Sequence, residues 1–143
     1  MLLSPHFSLE ELTATSHREL DNTPTPEVAT VLADTALRME AVRTLLGGEA
    51  IHINSGYRSI GVNHAVGGVP NSAHLTGHAC DFICPAFGAP LEICRALAAS
   101  AISFDQVIEE GTWVHISFAP TLRRQVLTKK AGGGYALGLP EEG

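Results

Sequence analysis

The sequence predicts a single α+β domain in which helices precede a small, mostly antiparallel sheet. Two segments with helix-capping signals lie within residues 8–46, whereas short segments of alternating polarity dominate after residue 50. Helices followed by strands indicate an α+β class rather than alternating βα units. The 143 residues suit one domain and show no internal repeat or linker. Residues 1–6 and 136–143 are expected to be peripheral to the domain.

The helices are predicted from their start and stop signals. Ser8 and Glu11 have the spacing of a capping box, and Phe7 before them is placed to act as a hydrophobic staple. Thr25 followed by Pro26 gives a second N-cap with proline at the first helical position. Apolar residues then recur at helical spacing until the glycine pair at 47–48, which predicts the main core helix.

The remaining elements follow from alternation and flanking turn residues. A short helical segment is predicted near residues 62–66 and a full helix over Pro90–Ser100. The strands are predicted at Ile51–Asn54, Ala79–Ile83, Phe104–Glu109 and Trp113–Phe118, with a further one at Gln125–Lys129. Gly132–Gly134 is expected to loosen the tail.

Composition excludes several classes of function. A net charge of −6 without a basic run argues against a nucleic-acid partner, because phosphate repulsion would be uncompensated. No signal-peptide pattern and no apolar run of bilayer length is visible, so we expect cytoplasmic synthesis and no membrane partner. Cys80, Cys84 and Cys94 lack CxxC spacing and are expected to be buried free thiols. The oligomeric state is left open.

His74, Asp81 and His115 form the candidate metal site. Two imidazoles and one carboxylate suit zinc with one coordination position left open. Gly77 allows the backbone to turn, so that His74 and Asp81 can converge on one point. A lone histidine at position 115 would more often be a satisfied core residue, but three ligand-type residues on neighbouring elements favour a metal site. The alternative is a metal-free protein with fortuitous histidines.

Hydrolysis by a metal-activated water also needs a base, and two glutamates are candidates. Strict alternation back from His115 favours Glu109. A break in that alternation at Gly111 or Thr112 would instead place the side chain of Glu110 on the same face as His115. The spacing leaves both candidates open.

Arg58 and Ser72 are the candidate substrate-binding residues. Arg58 lies in a turn flanked by glycine, where a fixed guanidinium can hold a carboxylate through two hydrogen bonds or can tie a loop to backbone carbonyls. Ser72 can donate to the same carboxylate or cap the turn. Three further histidines are interpreted as surface or packing residues rather than as additional ligands: His52, His64 and His78.

Through these motifs, the chain resembles the zinc D-alanyl-D-alanine carboxypeptidase family over residues 7–135. The likeness is to its small phage- and prophage-associated branch, related to vancomycin-resistance D,D-dipeptidases and phage endolysin peptidases. The motifs are Ser55-Gly-Tyr-Arg58-Ser, Ser72-x-His74-x-x-Gly77-x-x-x-Asp81 and Trp113-Val-His115. The resemblance implies a D-Ala-D-Ala carboxypeptidase or hedgehog-like fold and a Zn²⁺ cofactor. Its implied ligands are His74, Asp81 and His115.

The resemblance also implies roles for the remaining site residues. Arg58 and Ser72 would hold the terminal carboxylate or carbonyl of the substrate, with Arg58 also counted among the catalytic groups. Many relatives place the catalytic glutamate three residues before the last histidine, where this chain has Thr112. The small phage branch has it after a run similar to Asp105-Gln-Val-Ile108, which favours Glu110.

The implied activity is hydrolysis of D-alanine-containing peptide bonds in peptidoglycan stem peptides, by a carboxypeptidase or an endolysin-type endopeptidase. Such a protein would reach the cell wall after phage lysis or from a virion. The alternative function is a zinc-containing but non-catalytic module that binds the wall or belongs to a phage particle. The threonine at position 112 keeps this alternative open.

Overall fold

The structure, a computed structural model, describes residues 1–140. Its strands and helices are, in chain order, β1 (Leu2–Ser4), β2 (Phe7–Ser8), α1 (Leu9–Leu12), α2 (Pro26–Leu45), β3 (His52–Ser55), α3 (Ile60–Ala65), a 3₁₀ helix (Ala73–Thr76), β4 (Ala79–Ile83), α4 (Pro90–Ala99), β5 (Gln106–Glu109), β6 (Val114–Ser117), β7 (Gln125–Lys129) and β8 (Tyr135–Leu137).

A six-stranded sheet in the order β3-β4-β6-β5-β7-β8 carries the fold. The pairs are antiparallel except for β5 and β7, which run parallel. One face of the sheet presents apolar side chains such as Phe82, Val107 and Ile116, each fully buried, to a core shared with α2 and α4. The predicted α+β class with a mostly antiparallel sheet is confirmed.

The long helix α2 begins where the sequence predicts, and for the predicted reason. The Thr25 side chain accepts a hydrogen bond from the Val28 amide, and Pro26 occupies the first turn, where its missing N–H has no cost. Leu32, Met39 and Val42 are fully buried on one side of the helix. The capping box predicted for α1 is also confirmed, with Ser8 and Glu11 bonded reciprocally.

Two regions of strand pairing were not predicted. Residues 2–4 form β1, which pairs with β2, and Ser4 is buried and donates to Glu40 on α2 at 2.7 Å. The glycine-rich segment 132–134 makes a turn that returns the chain as β8 along β7. Glycine composition predicts flexibility for an isolated chain, whereas here the neighbouring strand β7 supplies the pairing partner. The expectation that residues 136–143 are peripheral falls partly on residues 141–143, which lie outside the described residues.

The predicted state of the cysteines is confirmed. Cys80, Cys84 and Cys94 are all free and buried, and burial raises the pKa of the Cys94 thiol to about 12. Within residues 1–140, no helix has the length and apolarity needed to cross a membrane.

Asp105 anchors the segment that leads from β6 to β7. Its carboxylate, 2% exposed, accepts hydrogen bonds from Arg123 Nε at 2.7 Å and Nη2 at 3.1 Å. Burial opposes ionisation of Asp105, but the hydrogen bonds from Arg123 outweigh it and lower the pKa. The folded pKa therefore lies below the unfolded value of about 3.9, so the pair contributes stability that is fully present above that value and is lost as the pH falls through the folded pKa.

We expect Asp105→Asn to lower the free energy of unfolding at pH 7 by roughly 1–2 kcal/mol, because the charged acceptor of a bidentate pair is lost. The difference from the wild type should begin to shrink below about pH 4, where the carboxyl group of the unfolded wild type takes up a proton, and it should vanish only below the lowered folded pKa. Urea unfolding at pH 7 and at pH 3 measures both quantities. An equal difference at the two pH values would contradict the assignment.

Candidate active site

His74 is buried at the start of the 3₁₀ helix. The helix is capped by Ser72, whose hydroxyl accepts from the His74 amide at 3.2 Å. His74 Nδ1 lies 2.6 Å from the Gly56 carbonyl oxygen. Because a carbonyl only accepts, Nδ1 carries the proton and Nε2 is left with its lone pair free. Fixing one imidazole nitrogen on a backbone carbonyl is how proteins orient a metal-binding histidine.

Asp81 and His115 are brought together by the sheet. They are directly paired in the antiparallel register of β4 and β6, so both side chains leave the same face. Asp81 Oδ1 lies 2.9 Å from His115 Nδ1 and 3.2 Å from His74 Nε2, and the two imidazole nitrogens are 3.3 Å apart. The structure therefore brings the three residues predicted as metal ligands into one group.

The spacing of this group fits a metal ion. With zinc–nitrogen bonds of about 2.0–2.1 Å, two ligand atoms of a tetrahedral site are about 3.3 Å apart. That separation is close to the distances observed among the three facing atoms. Among the His, Cys, Asp and Glu side chains of residues 1–140, these three are the ones placed closely enough to hold an ion together.

The protonation states of the group also suit a cation. Burial lowers the pKa of His74 and so favours its neutral, metal-binding form. Burial opposes ionisation of Asp81, but the hydrogen bond from His115 outweighs it and holds the pKa of Asp81 well below its usual range. The site therefore offers a carboxylate and at least one neutral imidazole at neutral pH.

Gly77 makes the turn that lets His74 and Asp81 converge. Its φ of +83° lies in the left-handed region that favours glycine, as predicted. A Cβ at this position would lie 3.2 Å from side-chain atoms of both Val28 and Leu32 on α2. The Thr35 hydroxyl also donates to the Gly77 carbonyl at 2.7 Å. Helix α2 thus packs directly against the turn between two of the candidate ligands.

The two candidate glutamates point in different directions. Glu109 is paired with Val114, which belongs to the core face of the sheet, and its carboxylate accepts from the Gly111 amide. Gly111 has a φ of +99° and breaks the alternation, and the Glu110 amide donates to the Trp113 carbonyl at 3.0 Å. The Glu110 carboxyl group is thereby exposed to the charges of Asp81 and His115. Burial raises the pKa of Glu110.

Arg58 lies beside the metal-ligand group. Its amide donates to the His74 carbonyl at 3.0 Å, and its Nη2 approaches the Ser72 hydroxyl at 3.4 Å. Burial lowers the pKa of the guanidinium, while the charges of Asp81 and Glu110 raise it. Among residues 1–140, its buried Nε has no hydrogen-bond partner. Such an unsatisfied buried donor is unusual in a folded protein.

The structural roles of two residues that hold this site together were not predicted from the sequence. Asn22 donates to the Thr13 and Tyr57 carbonyls and accepts from the Ser59 amide, which fixes the turn around Arg58. Gly56 supplies the carbonyl that orients His74, and a Cβ there would lie 2.4 Å from the Leu12 carbonyl oxygen. Both contacts join segments far apart in the chain, so local patterns give no signal for them.

The other histidines lie apart from the group. His52 and His64 are exposed, and His78 lies 2.7 Å from the Thr76 hydroxyl. The interpretation of these three as surface or packing residues agrees with their positions. A groove of about 390 Å³ lies beside Ile83, two residues from Asp81 on the same face of β4. Its other lining residues within the described part of the chain are uncharged: Pro85, Gly88, Ala89, Pro90 and Thr112.

A group of two histidines and one aspartate with the spacing of zinc ligands is the kind of site found in zinc hydrolases. The comparisons with known proteins agree with this class. The family model described as Peptidase M15 matches residues 5–117, and the chain belongs to that family.

A curated relative is similar over a shorter segment. The zinc D-Ala-D-Ala carboxypeptidase of Streptomyces albus G is 43% identical over 47 residues, which cover 33% of this chain and 18% of that protein. The chain therefore spans less than a fifth of the length of that relative. The family and the name of the relative indicate zinc as the metal, and the group of His74, Asp81 and His115 fits it.

Proposed function

We propose that this protein is a zinc-dependent peptidase that hydrolyses D-alanine-containing peptide bonds in peptidoglycan stem peptides. The observation that carries the proposal is the position of Arg58, whose amide is bonded to the His74 carbonyl and whose guanidinium interacts with the charge of Asp81, beside the His74–Asp81–His115 group. A carboxylate or carbonyl bound by Arg58 would place a neighbouring peptide bond over the three ligands. The family match and the name of the curated relative support the same reaction class.

In this proposal the three ligands hold the metal through His74 Nε2, Asp81 Oδ1 and His115 Nδ1. The chemistry that zinc supplies when bound is polarisation of a carbonyl and a lowered pKa for a water molecule. Asp81 contributes the negative charge of the set, and its low pKa keeps that charge present throughout the neutral range.

Glu110 is the proposed general base. It would accept the proton of the attacking water and return it to the leaving amine. The raised pKa of its carboxyl group suits both steps, because a catalyst that exchanges protons works best with a pKa near the working pH. Glu109 is a poor candidate for this role, because it lies opposite Val114 on the core face of the sheet.

Arg58 and Ser72 are the proposed substrate-binding pair. A guanidinium carries five N–H donors, and its charge complements the terminal carboxylate of a stem peptide. Ser72 Oγ already accepts from the His74 amide and lies 3.4 Å from Arg58, so its hydroxyl hydrogen remains available for the substrate. The uncharged groove near Ile83 and Ala89 would accommodate a small side chain such as the methyl group of alanine.

The test is digestion of purified peptidoglycan and of a synthetic stem pentapeptide by the zinc-loaded and the chelated protein. We expect release of D-alanine or of shorter peptides by the zinc-loaded protein only. A pentapeptide that ends in L-alanine is the matched control and should remain uncleaved. A protein with one zinc per chain that releases nothing from either substrate would contradict the proposal.

A second candidate function is a zinc-containing module that binds the cell wall without cleaving it, for example in a phage particle. The observation that favours it is Thr112, which stands exposed where many relatives are expected to carry the catalytic glutamate. Retention on insoluble peptidoglycan without product release would support this function. Either activity requires access to the wall, and release by phage lysis or delivery by a virion is our proposal for that step.

A further inference from the structure

The hairpin of β7 and β8 lies outside the segment matched by the family, which ends at residue 117. It nevertheless continues the sheet beside the candidate active site. Strand β7 pairs with β5 up to Glu109 and Thr128, so Lys129 comes next to the turn that contains Glu110. Tyr135 on β8 is the direct partner of Lys129. The pairing thus delivers both side chains to the edge of the site.

Both side chains contact the turn between β5 and β6. The Tyr135 hydroxyl lies 3.4 Å from Glu110 Oε1. Lys129 Nζ lies 5.9 Å from the centre of the Trp113 ring, within the range of a cation–π contact. The hairpin therefore touches both ends of the turn, where the Glu110 amide is bonded to the Trp113 carbonyl.

We infer that Tyr135 is a positioning residue for Glu110, and that the β7–β8 hairpin completes the active site of this protein. The hydroxyl of Tyr135 donates to the carboxylate of Glu110 and holds it over the group of His74, Asp81 and His115. This inference rests on the proposed function, which assigns Glu110 as the base.

The surroundings of Glu110 explain why it needs such a contact. The carboxylate stands next to Gly111, and the like charge of Asp81 repels it from the site. Within residues 1–140, no other side chain donates a hydrogen bond to it. A neutral hydroxyl restrains a carboxylate with less loss of basicity than a cation would cause, because it contributes no full charge.

Tyr135 itself is placed for a polar role. Its side chain is half exposed, and burial together with the charge of Glu110 raises the pKa of its phenol, so it remains a donor across the neutral range. The distance of 3.4 Å is long for a hydroxyl and a carboxylate. Hydrogen bonds of catalytic groups are commonly long without substrate and shorten in the complex.

The test compares Tyr135→Phe with Thr128→Val. The first variant removes the hydroxyl and keeps the ring. The second removes a hydrogen bond of 2.7 Å, from Thr128 to the Gly138 carbonyl, in the same hairpin but away from Glu110. The groups around Glu110 that titrate or carry charge remain the same in Thr128→Val: Arg58, Asp81, His115, Lys129 and Tyr135.

We expect Tyr135→Phe to lower kcat several-fold with little change in KM, and to move the acid limb of the kcat/KM profile upward by roughly 0.5–1 pH unit, since the charged form of Glu110 loses a donor. Thr128→Val should leave both quantities at the wild-type values. An unmoved acid limb in Tyr135→Phe, or the same change in both variants, would overturn the inference.

A second readout does not depend on peptide hydrolysis. The carboxyl carbon of Glu110, identified by its absence in Glu110→Gln, is titrated by NMR in the zinc-loaded proteins. A higher midpoint in Tyr135→Phe than in Thr128→Val supports the positioning role even when no substrate is cleaved, in which case the proposed function alone fails. Equal midpoints overturn the positioning role whatever the activity.

Discussion

Replacing Glu110 with glutamine is expected to lower kcat/KM by about 10²–10⁴, the usual contribution of a general acid–base group. The amide keeps the size of the side chain but cannot take a proton from water. Because Glu110 is not one of the three ligand residues, the zinc content should stay at the wild-type level. Hydrolysis of the stem pentapeptide and metal analysis of the same preparations measure the two quantities.

Glu109→Gln is the matched control for this experiment. Its carboxylate bonds to the Gly111 amide and faces away from the metal-ligand group, so the variant should keep activity within about threefold of the wild type. Equal activity in Glu110→Gln and the wild type would remove Glu110 from the mechanism. Loss of activity in Glu109→Gln alone would exchange the roles of the two residues.

Replacing Gly56 with alanine is expected to destabilise the protein by roughly 1–3 kcal/mol, the cost of forcing a side chain into a packed site. The new Cβ would meet the Leu12 carbonyl oxygen, a backbone atom that cannot rotate away. The Gly56 carbonyl also orients His74, and loss of such a contact typically lowers metal affinity by about 10–100-fold. Urea unfolding of the chelated protein and zinc titration with a competing chelator separate the two effects.

Gly61→Ala provides the control for the Gly56 variant. Gly61 is exposed in α3, and among residues 1–140 no atom beyond its neighbours and the backbone of its own helix lies within 4 Å of the position that a Cβ would take. Alanine is a better helix former than glycine, so this variant should be neutral or more stable by up to about 1 kcal/mol, with unchanged zinc affinity. A Gly56→Ala protein that matches Gly61→Ala in both measurements would show that the contact with Leu12 is not restrictive.

Much of the secondary structure could be predicted because its signals are local. The start of α2 follows from Thr25 and Pro26, and the bounds of β4 and β7 follow from alternation between turn residues. The strand β8 could not be predicted, because all three of its residues are exposed and its formation depends on pairing with β7. Strand pairing between segments is a tertiary interaction that composition does not reveal.

The candidate site likewise combines features with local signals in the sequence and features that depend on tertiary structure. The three candidate metal ligands were recognisable because their types and the glycine at position 77 carry chemical information by themselves. The choice between Glu109 and Glu110 could not be made from the sequence, because it depends on the conformation of one turn. Gly111 takes a left-handed conformation there, and a break of one residue exchanges the two faces of a strand.

The sequence by itself therefore determined the α+β class, the capped helices and the residue types of a zinc site. Only the tertiary structure decided which side chains meet. It paired Asp81 with His115 across two strands, set Gly56 against both Leu12 and His74, and brought Tyr135 to Glu110. The physical reason is that capping and alternation act between near neighbours in the chain, whereas a site is assembled from segments joined only by packing and strand register.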